Sequence, residues 1–307
     1  MRGALVACLA LLALGATYLR SEEPKHQGLR RLNEQAWYFP TSFRSFGVTK
    51  VNGNMLLLRV DSARRGRVLV AVNCVQPTRE LLADVRLLEQ SQGAKLAYIV
   101  LGSDWHHLHS REWAEAFGIP VHFSSQRPVR HHQAEAFGKV ILDAQAPRIE
   151  GLDEVKLVPW LGFAGPFWAT ALDEAERREV SVFYDGTLFI FDLLLPMASQ
   201  LPDFLQGGRL QSSIDAVFGR EPMFWYNSVG FRLLDAKQAK ASTEALLRLP
   251  VQRLVFAPTL EQPFLLAGGR DDDGAHRTVT TTTTTNLQKM CQMVSQHGRC
   301  LVSTLHD

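Results

Sequence analysis

The chain has 307 residues, with 33 lysines and arginines against 31 aspartates and glutamates, a net charge of +2, and 46% hydrophobic residues. This is an ordinary globular composition, long enough for one large domain or two small ones, and it excludes disorder as the default state. The arginines fall in short clusters (Arg30-Arg31, Arg64-Arg65, Arg127 with Arg130) rather than in a basic stripe, so nucleic acid is not an expected partner.

Met1-Arg2 and the uncharged run from Ala4 to Leu19 form a basic n-region and an apolar h-region, with Ala13 and Gly15 small enough for cleavage. The run is shorter than the ~20 residues that span a bilayer comfortably. Residues 1–20 are therefore expected to be a signal peptide or a short membrane anchor. Membrane contact would then run through residues 4–19, and the chain would enter the secretory route as a membrane-associated or organellar protein. The alternative is an N-terminal helix packed on the domain. Residues 21–31, polar and containing Pro24 and Gly28, read as a linker.

From Leu32 the pattern is β-rich. Trp37 to Phe39 reads as a short strand ending at Pro40, and Val48 to Val51 as a strand closed by an Asn52-Gly53 hairpin turn. Strands follow over Met55 to Val60 and Val68 to Val72. Pro77 opens a helical stretch with Leu81, Leu82, Val85 and Leu88 on one face. Leu96 to Leu101 is a continuous apolar run of the kind buried on both faces of a sheet. Ser110 is placed to cap a helix carrying Trp113 and Phe117. In Val121-His122-Phe123 the alternation turns His122 toward solvent.

Further strands are expected over Val155 to Val158, Phe167 to Leu172, Val180 to Tyr184 and Leu188 to Phe191, the last two joined through Asp185-Gly186. Helices are expected over Pro196 to Gly219 and Asp235 to Leu249, and a final strand over Arg253 to Ala257. The order describes an α/β protein with mixed sheets and a domain over residues 32–265. Residues 266–307, with Asp271 to Asp273 and threonines from Thr280 to Thr285, read as a low-complexity tail without a core.

Cys8, Cys74, Cys291 and Cys300 include no C-x-x-C pair, which argues against both a zinc knuckle and a disulfide scaffold. A bridge between Cys291 and Cys300 stays open. No G-x-S-x-G elbow, phosphate-binding loop or H-E-x-x-H is present.

The most informative segment runs from the buried strand ending at Leu101 through Asp104-Trp105-His106-His107-Leu108-His109 into a helix. A loop at the carboxyl end of a strand can aim several imidazoles at one centre, as a zinc or iron ion requires. The segment resembles the H-x-H-x-D-H motif of the metallo-β-lactamase superfamily, with Asp104 at its first position. It is more similar still to a member family of unknown function whose metal ligands are often eroded.

The resemblance implies a metallo-β-lactamase-like αββα sandwich with mixed sheets. It also implies a mouth where His106, His109 and Asp192 are the metal ligands and Asp104 is a ligand or catalytic base. Asn73 stands where the superfamily has an aspartate; Gly162, and Pro258 or Thr259, stand where it has histidines. The resemblance therefore leads to two expectations. One is a degenerate site with a non-catalytic or binding role and no metal. The other is a hydrolase of an ester, thioester or phosphoester, holding a single zinc or iron ion and a small-molecule substrate. His131-His132 reads as a solvated loop, and Trp160, Phe163, Phe167 and Trp168 as core or lid packing.

Overall fold

The computed structural model describes residues 25–26, 28–45, 49–103, 109–124, 138–143, 146–164, 179–191, 194–196, 224–226, 232–233, 235–257 and 264–265. Its first half builds an eight-stranded sheet from β1 (Lys25–His26), β2 (Arg30–Arg31), β3 (Ala36–Ser45), β4 (Thr49–Ser62), β5 (Gly66–Val72), β6 (Lys95–Leu101), β7 (Val121–Phe123) and β8 (Lys139–Ile141). The order is β1-β3-β4-β5-β6-β7-β8, with β2 beside β3. It is antiparallel as far as β5 and parallel from β5 to β8. Two of these strands, β1 and β2, lie within the stretch read as a linker and pair with β3.

The second sheet has five strands in the order β17-β16-β12-β11-β9: β9 (Lys156–Pro159), β11 (Val180–Tyr184), β12 (Thr187–Ile190), β16 (Arg253–Phe256) and β17 (Phe264–Leu265). The hairpin between β11 and β12 turns at Asp185-Gly186, where both residues take positive φ, as the sequence led one to expect. Two small ribbons pair β10 (Phe163–Ala164) with β15 (Arg232–Leu233) and β13 (Leu194–Pro196) with β14 (Phe224–Tyr226).

The interior between the sheets holds Leu56, Leu58, Val70, Val72, Val100, Val182, Phe189 and Val255, all essentially inaccessible. The alternate residues of the first sheet, among them Phe39, Leu57, Leu69, Ala71 and Ile99, face outward under α1 (Arg79–Gln92) and α2 (Ser110–Phe117). On the far side α3 (Ala236–Leu247) packs against β9. The layers are helix, sheet, sheet, helix. Strand parity produces them, because two-faced burial of β5 and β6 needs apolar residues at every position, and that is how both strands read.

α1 begins where Thr78 accepts a hydrogen bond from Leu81 N–H and ends at Gly93, whose φ of 58° is left-handed. α3 begins at Asp235, whose carboxylate accepts from Lys237 and Gln238 N–H.

Five local expectations are corrected. The first hairpin reverses between Ser45 and Thr49, while Asn52 and Gly53 run straight through β4 opposite Ser42 and Thr41. Ten cross-strand pairs outweigh one turn dipeptide. β3 also continues through Pro40. Pro40 has no N–H to offer its partner Asn54, whose carbonyl accepts from Asn73 Nδ2 at 2.6 Å.

His109, not Ser110, is the residue at the N-terminus of α2, and its side chain makes no capping bond; Ser110 is the first helical residue and fully buried. His122 is buried and not solvent-facing, because its ring packs beside Tyr98 at 5.6 Å and its Nδ1 lies 3.2 Å from Ile99 O. Pro196, read as the start of a helix, is the last residue of β13. The remainder of that stretch, residues 167–172, His131-His132, the leader and the tail lie outside the described residues, apart from the short strands named above.

Candidate functional site

The parallel pairs β5/β6 and β12/β16 all deliver their carboxyl ends to one end of the sandwich. Asn73 follows β5, Gly102 follows β6, Phe191 follows β12 and Ala257 follows β16. These four positions are tied into a ring. Asn73 N–H donates to Val100 O at 2.9 Å, and its side-chain Nδ2 to Asn54 O at 2.6 Å. Asn54 N–H donates to Ala257 O at 2.7 Å, and Ala257 N–H to Ile190 O at 2.8 Å. Val180 N–H closes the ring on Gly102 O at 2.8 Å. Gly102 has no space for a side chain, since a Cβ would overlap Val180 O and the Phe191 ring.

Asn73 sits at φ 68° with 1% of its surface exposed. Asparagine tolerates this left-handed region better than most residues because its short side chain bonds locally. Cys74 N–H donates to Asn73 Oδ1 at 2.8 Å, which fixes the amide orientation and leaves Nδ2 on the Asn54 carbonyl. Both ends of the amide are committed. A carboxylate could accept from Cys74 but could not donate to Asn54, so this position is fitted to a neutral amide.

On the facing sheet, β9 leads into Trp160-Leu161-Gly162. Trp160 N–H donates to Glu179 O at 2.9 Å and its indole N–H to Ser181 Oγ at 2.8 Å, while Leu161 N–H donates to Ser242 Oγ on α3 at 2.9 Å. These bonds press the turn onto α3. Gly162 has φ 82°, and a Cβ there would overlap the Asp235 carbonyl and the Ala239 backbone. A histidine cannot occupy this position without displacing the helix. Trp160 and Phe163 are buried in edge-to-face contact, their rings 6.2 Å apart, as core packing.

Of the residues proposed from sequence as ligands or base, the structure places His109. Two-thirds of its side chain is covered, and its Nδ1 lies 3.6 Å from Glu112 Oε1 in the first turn of α2. Asp104, His106 and Asp192 lie outside the described residues. Their neighbours in the chain do converge: Gly102, two residues before Asp104, packs on Phe191, one residue before Asp192. Elsewhere among the described residues no group of three His, Cys, Asp or Glu side chains is close enough to hold a metal.

Cys74, next to Asn73, is buried, and burial pushes its thiol pKa well above the usual range, with Glu112 adding to the rise; it is an inert apolar side chain. Sequence reading missed Asn54 and Glu179, both buried polar residues at this mouth. Neither belongs to a motif, and only the fold brings them to the strand ends. At two positions where the resemblance sets metal ligands, Asn73 presents a neutral amide bonded at both ends and Gly162 has no room for a side chain.

No protein-family profile and no curated protein sequence matches the chain. Solved structures do. The structure of the DIM-1 metallo-β-lactamase exposed to ceftazidime aligns over 90% of this chain and 100% of its own, at 11% identity and a TM-score of 0.51. A metallo-β-lactamase from Pontibacter korlensis aligns over 86% and 99% at 12% identity, TM-score 0.47. One from Erythrobacter litoralis aligns over 87% and 92% at 11% identity, TM-score 0.49. At such identities the likeness is one of architecture. The chain has the metallo-β-lactamase fold, a mixed α/β sandwich, as the histidine-loop resemblance implied.

Proposed function

We propose that this is a metallo-β-lactamase-fold protein with a degenerate metal site and a non-catalytic, binding role. The observation that carries the reading is the Asn73 amide, bonded at both ends where a metal-site carboxylate would stand. The closed approach at Gly162 agrees with it. Fold alone does not imply chemistry, since one scaffold serves enzymes and binding modules alike.

The test is the zinc and iron content of the purified full chain, with hydrolysis of ester, thioester and phosphoester probes measured in parallel. Sub-stoichiometric metal and no turnover are expected. One equivalent of zinc or iron, with hydrolysis abolished in His106→Ala, would overturn the reading.

A second reading has one observation in its favour, the packing of Gly102 on Phe191, the described residues that lie closest in the chain before Asp104 and Asp192 but for Ser103. It is a single-ion hydrolase in which His106, His109 and Asp192 hold zinc or iron and Asp104 acts as ligand or base; three protein ligands suffice for a catalytic zinc. In this reading His106→Ala, His109→Ala and Asp192→Ala each remove the metal. In the first reading none of them changes metal content.

A further inference from the structure

We propose that the outward face of α1 is a membrane-binding surface that lies on an anionic bilayer. α1 buries Leu81, Val85, Leu88 and Glu89. At helical spacing the outward stripe is Arg79, Glu80, Ala83, Arg86, Leu87 and Gln90, and all of these but Glu80, with the half-buried Leu82, line one open groove of about 450 Å³. The groove holds two arginines and two leucines but no carboxylate. Leu87 is 61% exposed, more than any other large hydrophobic side chain among the described residues; Val140, at 40%, lies in β8.

The charges around the stripe are asymmetric. Neither Arg79 nor Arg86 forms an ion pair among the described residues. Arg86 lies over the Phe117 ring at 6.0 Å, and the adjoining groove, about 440 Å³, adds Lys95 on that side. Glu89 in that groove is buried and engaged by Leu96 N–H and by Lys95. Asp84 stands on the other flank, toward Leu29, and Glu80 lies in the first turn. Arginine stems lying beside exposed leucines suit an interface that is apolar below and phosphate-rich above, where guanidinium groups bond phosphate oxygens.

The course of the chain brings a bilayer to this face. Leu29 forms one wall of a third groove on α1 together with Asp84, Leu87, Leu88 and Ser91. The chain before it reaches β1, and five residues separate Lys25 from Leu19, the end of the apolar run. Five extended residues span at most about 17 Å. A bilayer that takes up the run from Ala4 to Leu19 is thus within reach of α1. A second copy of this chain fits less well, because a two-fold contact would set the arginines of one stripe against those of the other.

The test uses the full chain with vesicles of phosphatidylcholine alone and of equal parts phosphatidylcholine and phosphatidylserine. Arg79→Gln with Arg86→Gln should lower partitioning onto the anionic vesicles about 25-fold, at roughly fivefold per arginine, and leave partitioning onto phosphatidylcholine unchanged. A polarity-sensitive dye on Leu87→Cys, with Cys8, Cys291 and Cys300 replaced by serine, should shift to shorter wavelength on anionic vesicles. The same dye on Val140→Cys should not. Wild-type partitioning by the double variant, or an unmoved dye at position 87, would overturn the proposal. So would a concentration-dependent dimer abolished by Leu87→Asp, which would assign the face to a second copy.

Discussion

The mouth of the sandwich has two walls that hold together by different means. On the first-sheet wall, polar atoms meet in fixed pairs: the Asn73 amide bridges Cys74 and Asn54, and Asn54 reaches across to Ala257. On the second-sheet wall the hold is mainly steric, with Phe191 against Gly102 at the end of β6 and Gly162 against the start of α3. A wall of hydrogen bonds is sensitive to charge and pH. A wall of close backbone approach is sensitive to a single methyl group.

The steric wall should therefore break hardest. Gly162→Ala and Gly102→Ala each force a Cβ into backbone or ring atoms, and each is expected to cost about 4 kcal/mol or more in urea unfolding of the full chain. Gly93→Ala and Gly118→Ala provide the control for Gly162, because those residues share its positive φ but have nothing within 4 Å of the added carbon. They should cost only about 1 kcal/mol. Equal losses at Gly93, Gly118 and Gly162 would show that backbone conformation, not close packing, governs the turn onto α3.

The polar wall should respond to charge. Asn73→Asp places a carboxylate against the Asn54 carbonyl and is expected to cost about 3 kcal/mol at neutral pH. The native state of that variant holds its carboxyl protonated more readily than the unfolded chain does. Its penalty is therefore full only above the raised native carboxyl pKa, shrinks as pH falls from there, and is gone below the unfolded value near 4, with the protonated group donating to Asn54. Unfolding free energy against pH checks this, and a penalty that stays constant down to acid pH would show that the amide donor is not what matters.

Much of this architecture is visible in local sequence, and the failures have a common cause. The Asp185-Gly186 hairpin, the two-faced apolar run of β6 and the Asp235 start of α3 depend on neighbours in the chain, and they appear where expected. Asn52-Gly53, Pro40 and His122 depend on partners far away. A long cross-strand register overrides a turn dipeptide, Asn73 bonds the carbonyl opposite the proline, and Tyr98 packs beside an alternating histidine. At the candidate site, the departure from the superfamily at Asn73 and Gly162 can be read in the sequence. The reason each is committed to another task cannot, because it lies in Asn54 and α3.

His122 sharpens the contrast, as a titratable group enclosed in the first sheet. Burial pushes its pKa down to about 4; Arg65 lowers it further, while the bond from Nδ1 to Ile99 O opposes the shift. Between pH 6.5 and about 4 the unfolded chain binds a proton that the native state excludes. Stability is therefore full above the unfolded value and is lost as pH falls toward 4, by at most about 3 kcal/mol. His122→Leu should remove this part of the acid sensitivity. The wild-type and variant curves of unfolding free energy should diverge across that window, and parallel curves would count against a neutral buried imidazole.

The smallest expected effect tests whether the second wall also depends on a polar pair. The Trp160 indole donates to Ser181 Oγ, and both residues are buried, Ser181 completely. Trp160→Phe retains most of the aromatic packing on Phe163 but leaves the hydroxyl without its donor, and should cost about 1 kcal/mol beyond the change in volume. Ser181→Ala strands the indole N–H by a similar amount. If the pair acts as a unit, the double variant should be less destabilised than the sum of the two by about 1 kcal/mol. Simple additivity would leave the wall dependent on shape alone, because the turn onto α3 would then be held by Gly162 and the backbone bonds around it.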